Sequence, residues 1–141
     1  MKKMNNKGFS LVELIIVIAI MAILAAALAP QLIKYLEQSR ESTDASACDT
    51  IKSCFNAAMS TEAAYKEITA ATGTTVSFDI GANGVISNPS GISTTTNLAA
   101  ELSASLADLA APKASGKTKY TLSYSFDATT KKVSNITVVT A

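Results

Sequence analysis

From Leu14 to Ile33 the chain runs for 20 consecutive residues without a charge, built of Ile, Leu, Val and Ala with one Met, one Pro and one Gln. As a helix rising 1.5 Å per residue this run spans about 30 Å, the thickness of a bilayer's hydrocarbon core. Backbone polar groups in lipid must be satisfied within the segment, so a helix is the form it has to take. Lys2, Lys3 and Lys7 precede the run and the bulk of the chain follows it. The positive-inside rule then puts the N-terminus in the cytoplasm and the remainder outside. This concentration starves the rest: 21 of the 25 residues from Phe9 to Ile33 are apolar, against 45 of the 108 from Lys34 onward, 18 of them alanine. A chain of 141 residues predicts one domain. So few bulky side chains support only a modest core, which speaks against a large enzyme with a deep pocket. There is no histidine and no tryptophan, which removes the commonest general base and the commonest zinc ligand. Twelve Lys and Arg against eleven Asp and Glu give +1, no polybasic signal for nucleic acid.

Glu13 is the most informative single residue. It sits at the edge of a helix that is otherwise apolar on every side, and a carboxylate there needs a partner to be named. The helix itself offers no cation. Lys7, one to two turns earlier, or a positive group on another molecule are the candidates. Two plainer readings of the run compete. One is a removable secretory signal peptide cut after Ala27-Leu28-Ala29, a small-residue pattern of the right kind. It would leave Pro30 beside the cut and Glu13 within the apolar region, at about 2.5–3.5 kcal/mol on insertion scales. The other is an ordinary signal anchor in which Glu13 only marks the membrane edge.

The residues Lys7-Gly8-Phe9-Ser10-Leu11-Val12-Glu13-Leu14 resemble the class III signal of type IV pilins and pseudopilins: a short basic leader ending in Gly, then Phe, then about 20 apolar residues with Glu at the fifth position after the cut. The likeness extends through Pro30 and covers about the first 33 residues; beyond them only the architecture is similar. The resemblance implies cleavage between Gly8 and Phe9 by a membrane-embedded prepilin peptidase, and N-methylation of Phe9. It also implies that the freed Phe9 amine pairs with Glu13 of a neighbouring subunit during filament assembly. The physical chemistry agrees. Gly8 lets extended backbone enter a protease site, and a carboxylate in a low-dielectric setting gains more from a charged partner than an exposed one does.

Downstream, Pro30 lacks an N–H and clashes with the carbonyl four residues back, which predicts a helix kink near Ala26 to Ala29. Helical spacing resumes through Leu32, Leu36, Thr43, Ala47, Ile51, Cys54, Ala58, Ala64 or Tyr65 and Ile68. Glu37, Arg40, Glu41, Asp44, Asp49, Lys52, Glu62 and Lys66 read as its polar side. Gly73 is the expected stop. A helix from Phe9 to about Ala71 would be roughly 95 Å long. Ala19, Ala22, Ala25, Ala26, Ala27 and Ala29 offer either close-approach surfaces for other helices or simply good helix formers.

From Thr74 the period becomes two. Val76, Phe78 and Ile80 mark a strand, Gly81 to Gly84 a turn, and Val85 and Ile86 a short second strand that Asn88-Pro89-Ser90-Gly91 should break. Leu98, Leu102, Leu106 and Leu109 predict a short amphipathic helix, capped by Thr95, Thr96 or Asn97 and ended near Pro112. Tyr120, Leu122, Tyr124 and Phe126, a turn at Asp127 to Thr130, and Val133 to Val139 form the clearest hairpin.

Cys48 and Cys54 fall six residues apart in the predicted helix, with Cα atoms about 10 Å apart, beyond disulfide reach. Either they are two free thiols in an intact helix, or the helix is broken between them; an exported pair favours a bond, the geometry favours free thiols. Many pilins tie their C-terminal region with a disulfide; here the loop before the last hairpin is expected to rest on packing alone. Lys113, Lys117, Lys119, Lys131 and Lys132 read either as a basic patch for DNA or an anionic surface, or as a hairpin edge guarded by lysines. A third reading has them meeting Glu37, Glu41, Asp44 or Asp49 of a neighbouring subunit. Asn135-Ile136-Thr137 is a formal glycosylation sequon. Asp79, Asp108 and Asp127 lack the spacing of a calcium loop.

The expectation is therefore an α+β fold, a long N-terminal helix with a small antiparallel β-sheet head, as in type IV pilins. Its segments would be a leader at 1–8, a transmembrane and polymerisation helix at 9–33, the second half of the helix at 34–73 and a β-rich head at 74–141. The implied function is a non-enzymatic, major-pilin-like structural subunit of a type IV pilus, of the kind used in adhesion and motility, without cofactor or metal. The alternatives are a pseudopilin of a secretion or DNA-uptake machine and a monomeric signal-anchored surface binding protein. Implied partners are further copies, the prepilin peptidase, the assembly platform with its ATPases and the lipid bilayer, with nucleic acid a weak addition. The chain would sit in the cytoplasmic membrane before assembly and in a cell-surface pilus afterward.

Overall fold

The computed structural model describes residues 8–70, 75–92, 95–130 and 132–141. Helix α1 is Leu11–Ala58 and α2 is Glu62–Thr69; strand β1 is Thr75–Ile80, and after a 3₁₀ turn at Ala82–Gly84 comes β2, Ile86–Ser90. Helix α3 is Thr96–Ser105, and β3, Tyr120–Asp127, and β4, Lys132–Thr140, complete the chain. The four strands form one antiparallel sheet in the order β2-β1-β3-β4. This is the expected α+β arrangement of a long N-terminal helix followed by a small antiparallel sheet, consistent with the type IV pilin fold. The chain divides into two compact units between Gln38 and Ser39.

In the second unit the core is built where the period-two pattern placed it. Val76, Phe78 and Ile80 of β1 and Tyr120, Leu122, Tyr124 and Phe126 of β3 are all buried. Against them pack Ile51, Phe55 and Ala58 of α1, Ile68 of α2 and Leu98 and Leu102 of α3, with Ile92 and Leu106 closing the cluster. Phe55 was absent from the predicted helix face. Its ring lies 5.2 Å from Tyr124 and 6.2 Å from Phe78, centroid to centroid, distances typical of favourable aromatic pairs. Thr43, which the spacing assigned to the inner face, is exposed, and the neighbouring Asp44 is buried instead.

The single helix expected to reach about Ala71 is in fact two. After Ala58 the ladder tightens into i, i+3 bonds, Ser60 N–H to Ala57 O at 2.9 Å and Thr61 N–H to Ala58 O at 3.0 Å. The Ser60 hydroxyl also donates to Ala57 O at 2.6 Å. Such short polar side chains compete with the helix for backbone groups. The turn redirects the chain so that Ala64 and Ile68 of α2 are fully buried. The expected stop at Gly73 lies outside the described residues.

Strand β2 also departs from expectation: it continues through Asn88 and Pro89 to Ser90. It is an edge strand, where proline's missing N–H costs no ladder bond. The register slips between Ser77 and Asp79, and Asn88 takes φ 49°. At Gly84, φ is +70° and a Cβ would come within 2.8 Å of Leu102 O, so only glycine lets this turn approach α3 so closely.

Candidate functional site

Gly8, Phe9 and Ser10 precede α1 in non-helical, exposed backbone. A Cβ at Gly8 would meet nothing within 4 Å, and Phe9 is 87% exposed. The peptide bond between them is therefore sterically open, as a scissile bond must be to lie extended in a protease cleft.

Glu13 has a partner inside its own chain, which sequence reasoning had not named. Its Oε2 accepts the backbone N–H of Ser10 at 3.0 Å, while Ser10 O accepts the N–H of Leu14 at 3.2 Å. This is the reciprocal half of a capping box, with Ser at the cap and Glu three residues on. The signal was present as Ser10-Leu11-Val12-Glu13. The carboxylate also lies in the first turn, where the helix dipole favours negative charge. Phe9 is the residue immediately before the one that Glu13 already holds, so an amine created there would arise beside this carboxylate.

From Leu14 to Ile33, α1 presents a surface without a charge. The large apolar side chains from Leu11 to Leu36 are between 49% and 73% exposed. By length and composition the helix can cross a membrane, and none of its most apolar window is buried within the structure. Pro30 lies inside α1, which is helical on both sides of it.

In the second unit, three carboxylates that sequence patterning assigned to solvent or left without a role are buried. Asp44 accepts the Lys113 N–H at 2.8 Å and 3.0 Å on its two oxygens and the Ala114 N–H at 2.8 Å. The loop before the last hairpin is thus not held by packing alone; a helix carboxylate clamps its backbone. It also means that Asp44 is engaged within its own chain and is not free to meet a neighbour. Glu67 of α2 caps α3: its oxygens accept Asn97 N–H at 3.0 Å, Asn97 Nδ2 at 2.8 Å and Leu98 N–H at 2.9 Å. The expected local caps do not act, since the Thr95 side chain makes no capping bond. Burial alone would raise the Glu67 pKa, but these donors outweigh it and hold the carboxyl below its ordinary range.

Asp79 gathers Lys119 Nζ at 2.6 Å, Asn88 Nδ2 at 2.8 Å and the Thr121 hydroxyl at 2.8 Å. The bonds from Lys119 and then Asn88 lower its pKa to about 2. Lys119 therefore belongs to an internal ion pair and leaves the basic patch; Lys113, Lys117 and Lys132 remain exposed, and Lys131 lies outside the described residues. Burial pushes the Tyr124 phenol well up, and its hydroxyl donates to Ile68 O at 3.2 Å. Cys48 and Cys54 are both free thiols within α1. Burial first, then the charges of Asp44 and Asp49, push the Cys48 thiol up, away from nucleophilic reactivity. A cavity of about 390 Å³ lies between α1 and the segment after α3, lined by Asp44, Ala47, Leu106, Leu109 and Tyr120.

An open Gly-Phe junction, a capped carboxylate and an apolar helix fit to cross a bilayer together define a membrane-anchored precursor class. Residues 3–29 match the model of the prokaryotic N-terminal methylation motif. The chain carries the class III signal of the type IV pilin and pseudopilin family. No curated protein and no solved structure matches the chain.

Proposed function

We propose that the chain is the structural, major subunit of a type IV pilus. Prepilin peptidase removes residues 1–8 and methylates the Phe9 amine, and the mature chain polymerises through α1 with the aid of an assembly platform and its ATPases. The observation that carries this reading is the exposed Gly8–Phe9 bond set directly before the Glu13-capped start of an apolar, uncovered helix. Before assembly the segment 9–33 is solvated by lipid, and the Ser10 N–H keeps Glu13 from standing unpaired at the membrane edge. On docking, the new Phe9 amine of one copy and Glu13 of its neighbour add a bond between two opposite charges to one in which only the carboxylate is charged. The cell surface is the destination of the polymer, and the segments 34–73 and 74–141 form its outer layer. Pro30 would supply the local loosening that lets neighbouring helices adjust.

The test is Glu13→Ala in the full chain. Membrane insertion and cleavage should persist, since neither needs the carboxylate, while surface fibres seen by electron microscopy should disappear. Normal fibres from this variant would sink the assembly mechanism. Intact mass of the wild-type polymer should give a mature N-terminus at Phe9 with one added methyl group; a start at Met1 or Pro30 would sink the processing claim.

A further inference from the structure

Next to the cavity at Leu106 and Tyr120, and sharing Asp44 with it, a second groove of about 420 Å³ runs between α1 and the end of β4. Glu41, Cys48 and Asp49 form one wall and Ala114, Val139 and Thr140 the other. Val139 is 50% exposed there, an apolar wall beside two carboxylates. Glu41 and Asp49 are exposed, and neither has an ion pair among the described residues. Lys132 is likewise exposed and without an ion pair among the described residues. In the strand register it stands opposite Asp127 at one end of the β3–β4 hairpin, whereas Thr140 stands opposite Tyr120 at the other. Seven residues of strand put Lys132 about 24 Å from Val139 of the same chain, so a chain cannot fill its own groove with this lysine.

We propose that the groove receives Lys132, the first residue of β4, from a second copy, set between Glu41 and Asp49. The reading rests on the filament assignment above and adds the contact that joins one folded head to the next. Because groove and lysine lie at opposite ends of one hairpin, the contact is heterologous: each copy offers a donor end and an acceptor end, and repetition extends a chain of copies. Ala114 and Val139 exclude water on one side of the pair and strengthen it relative to an open surface pair. Lys113 lines the other cavity, Lys119 is held by Asp79, and Lys117, although exposed, sits in the turn that carries Ala114 at the groove's own end of the hairpin, so among the described lysines of this segment Lys132 is the one carried at the far end.

Cys48 provides an internal reporter. In the full chain carrying Cys54→Ser and Ala128→Cys, the new thiol stands in the turn while Asp127 and Lys132 are untouched. Oxidation of isolated fibres at alkaline pH, where the raised Cys48 thiol ionises, should give a ladder of covalent multimers on denaturing gels. Adding Cys48→Ser should abolish the ladder, and adding Lys132→Glu should cut it about fivefold. Reversing the groove as well, with Glu41→Lys and Asp49→Lys, should restore it. Fibres that form but give no ladder, or a ladder that survives loss of Cys48, would overturn the docking contact and leave the filament assignment standing. Absence of fibres from the unmodified chain would overturn both.

Discussion

Asp44→Ala should be the most damaging single change on the helix surface of this protein. The carboxylate accepts three hydrogen bonds from two backbone N–H groups of the segment that leads into β3. Hydrogen bonds to a charged group are worth about 1.5–3 kcal/mol each, and the two N–H groups share one acceptor, so the loss is about 3 kcal/mol. For a folded unit of about 100 residues each kcal/mol moves the midpoint by about 4–8 °C, so Tm should fall by more than about 10 °C. The measurement is thermal unfolding of the full chain in detergent micelles, with Asp49→Ala as control. Asp49 is exposed and its side chain makes no hydrogen bond among the described residues, so that substitution should stay within about 0.5 kcal/mol. Amide exchange adds a local readout: the Lys113 and Ala114 amides should lose protection in Asp44→Ala before any other part of the sheet does. A Tm within about 3 °C of wild type, with those two amides still protected, would refute the view that the carboxylate anchors the loop.

Glu67→Gln replaces one of the acceptor oxygens that cap α3 by an amide that cannot accept. It should cost about 1–2 kcal/mol and show as faster exchange in the first turn of α3; unchanged exchange there would contradict a capping role. The depressed pKa of Asp79, about 2, makes stability pH-dependent with a definite sign. A group whose folded pKa lies below its unfolded one contributes fully above the unfolded value, so this contribution should persist down to about pH 4 and vanish between about 4 and 2. In Lys119→Met the loss should start at the same unfolded value but be smaller and end at higher pH, because the bond that lowers the pKa most is gone; urea midpoints that fall by the same amount across that range in the two proteins would argue against it.

What could be read from the sequence was what depends on neighbours close along the chain. The alternation Tyr120, Leu122, Tyr124, Phe126 gave strand, face and burial together, because every second residue of a strand shares one environment. The class III signal was legible for the same reason, its parts lying within one short stretch. Asp44 and Glu67 were not legible: on a helix an acidic residue looks like part of a solvated face, and the donors that bury them lie 69 and 30 residues away. The break after Ala58 did leave a local trace in Ser60-Thr61-Glu62, but the apolar spacing carried on across it and masked the turn. Pro89 misled in the opposite direction. It argues against a central strand, and the sequence alone did not show that β2 would be an edge.

The clamp at Asp44 has a consequence for how this protein reaches its working form. A covalent staple between helix and loop would have to wait for an oxidant and a catalyst, and would be as durable as the surrounding redox conditions allowed. A carboxylate seated on two amide N–H groups forms in the same cooperative step as the fold. It opens and closes with that fold, and it holds equally well with or without oxygen.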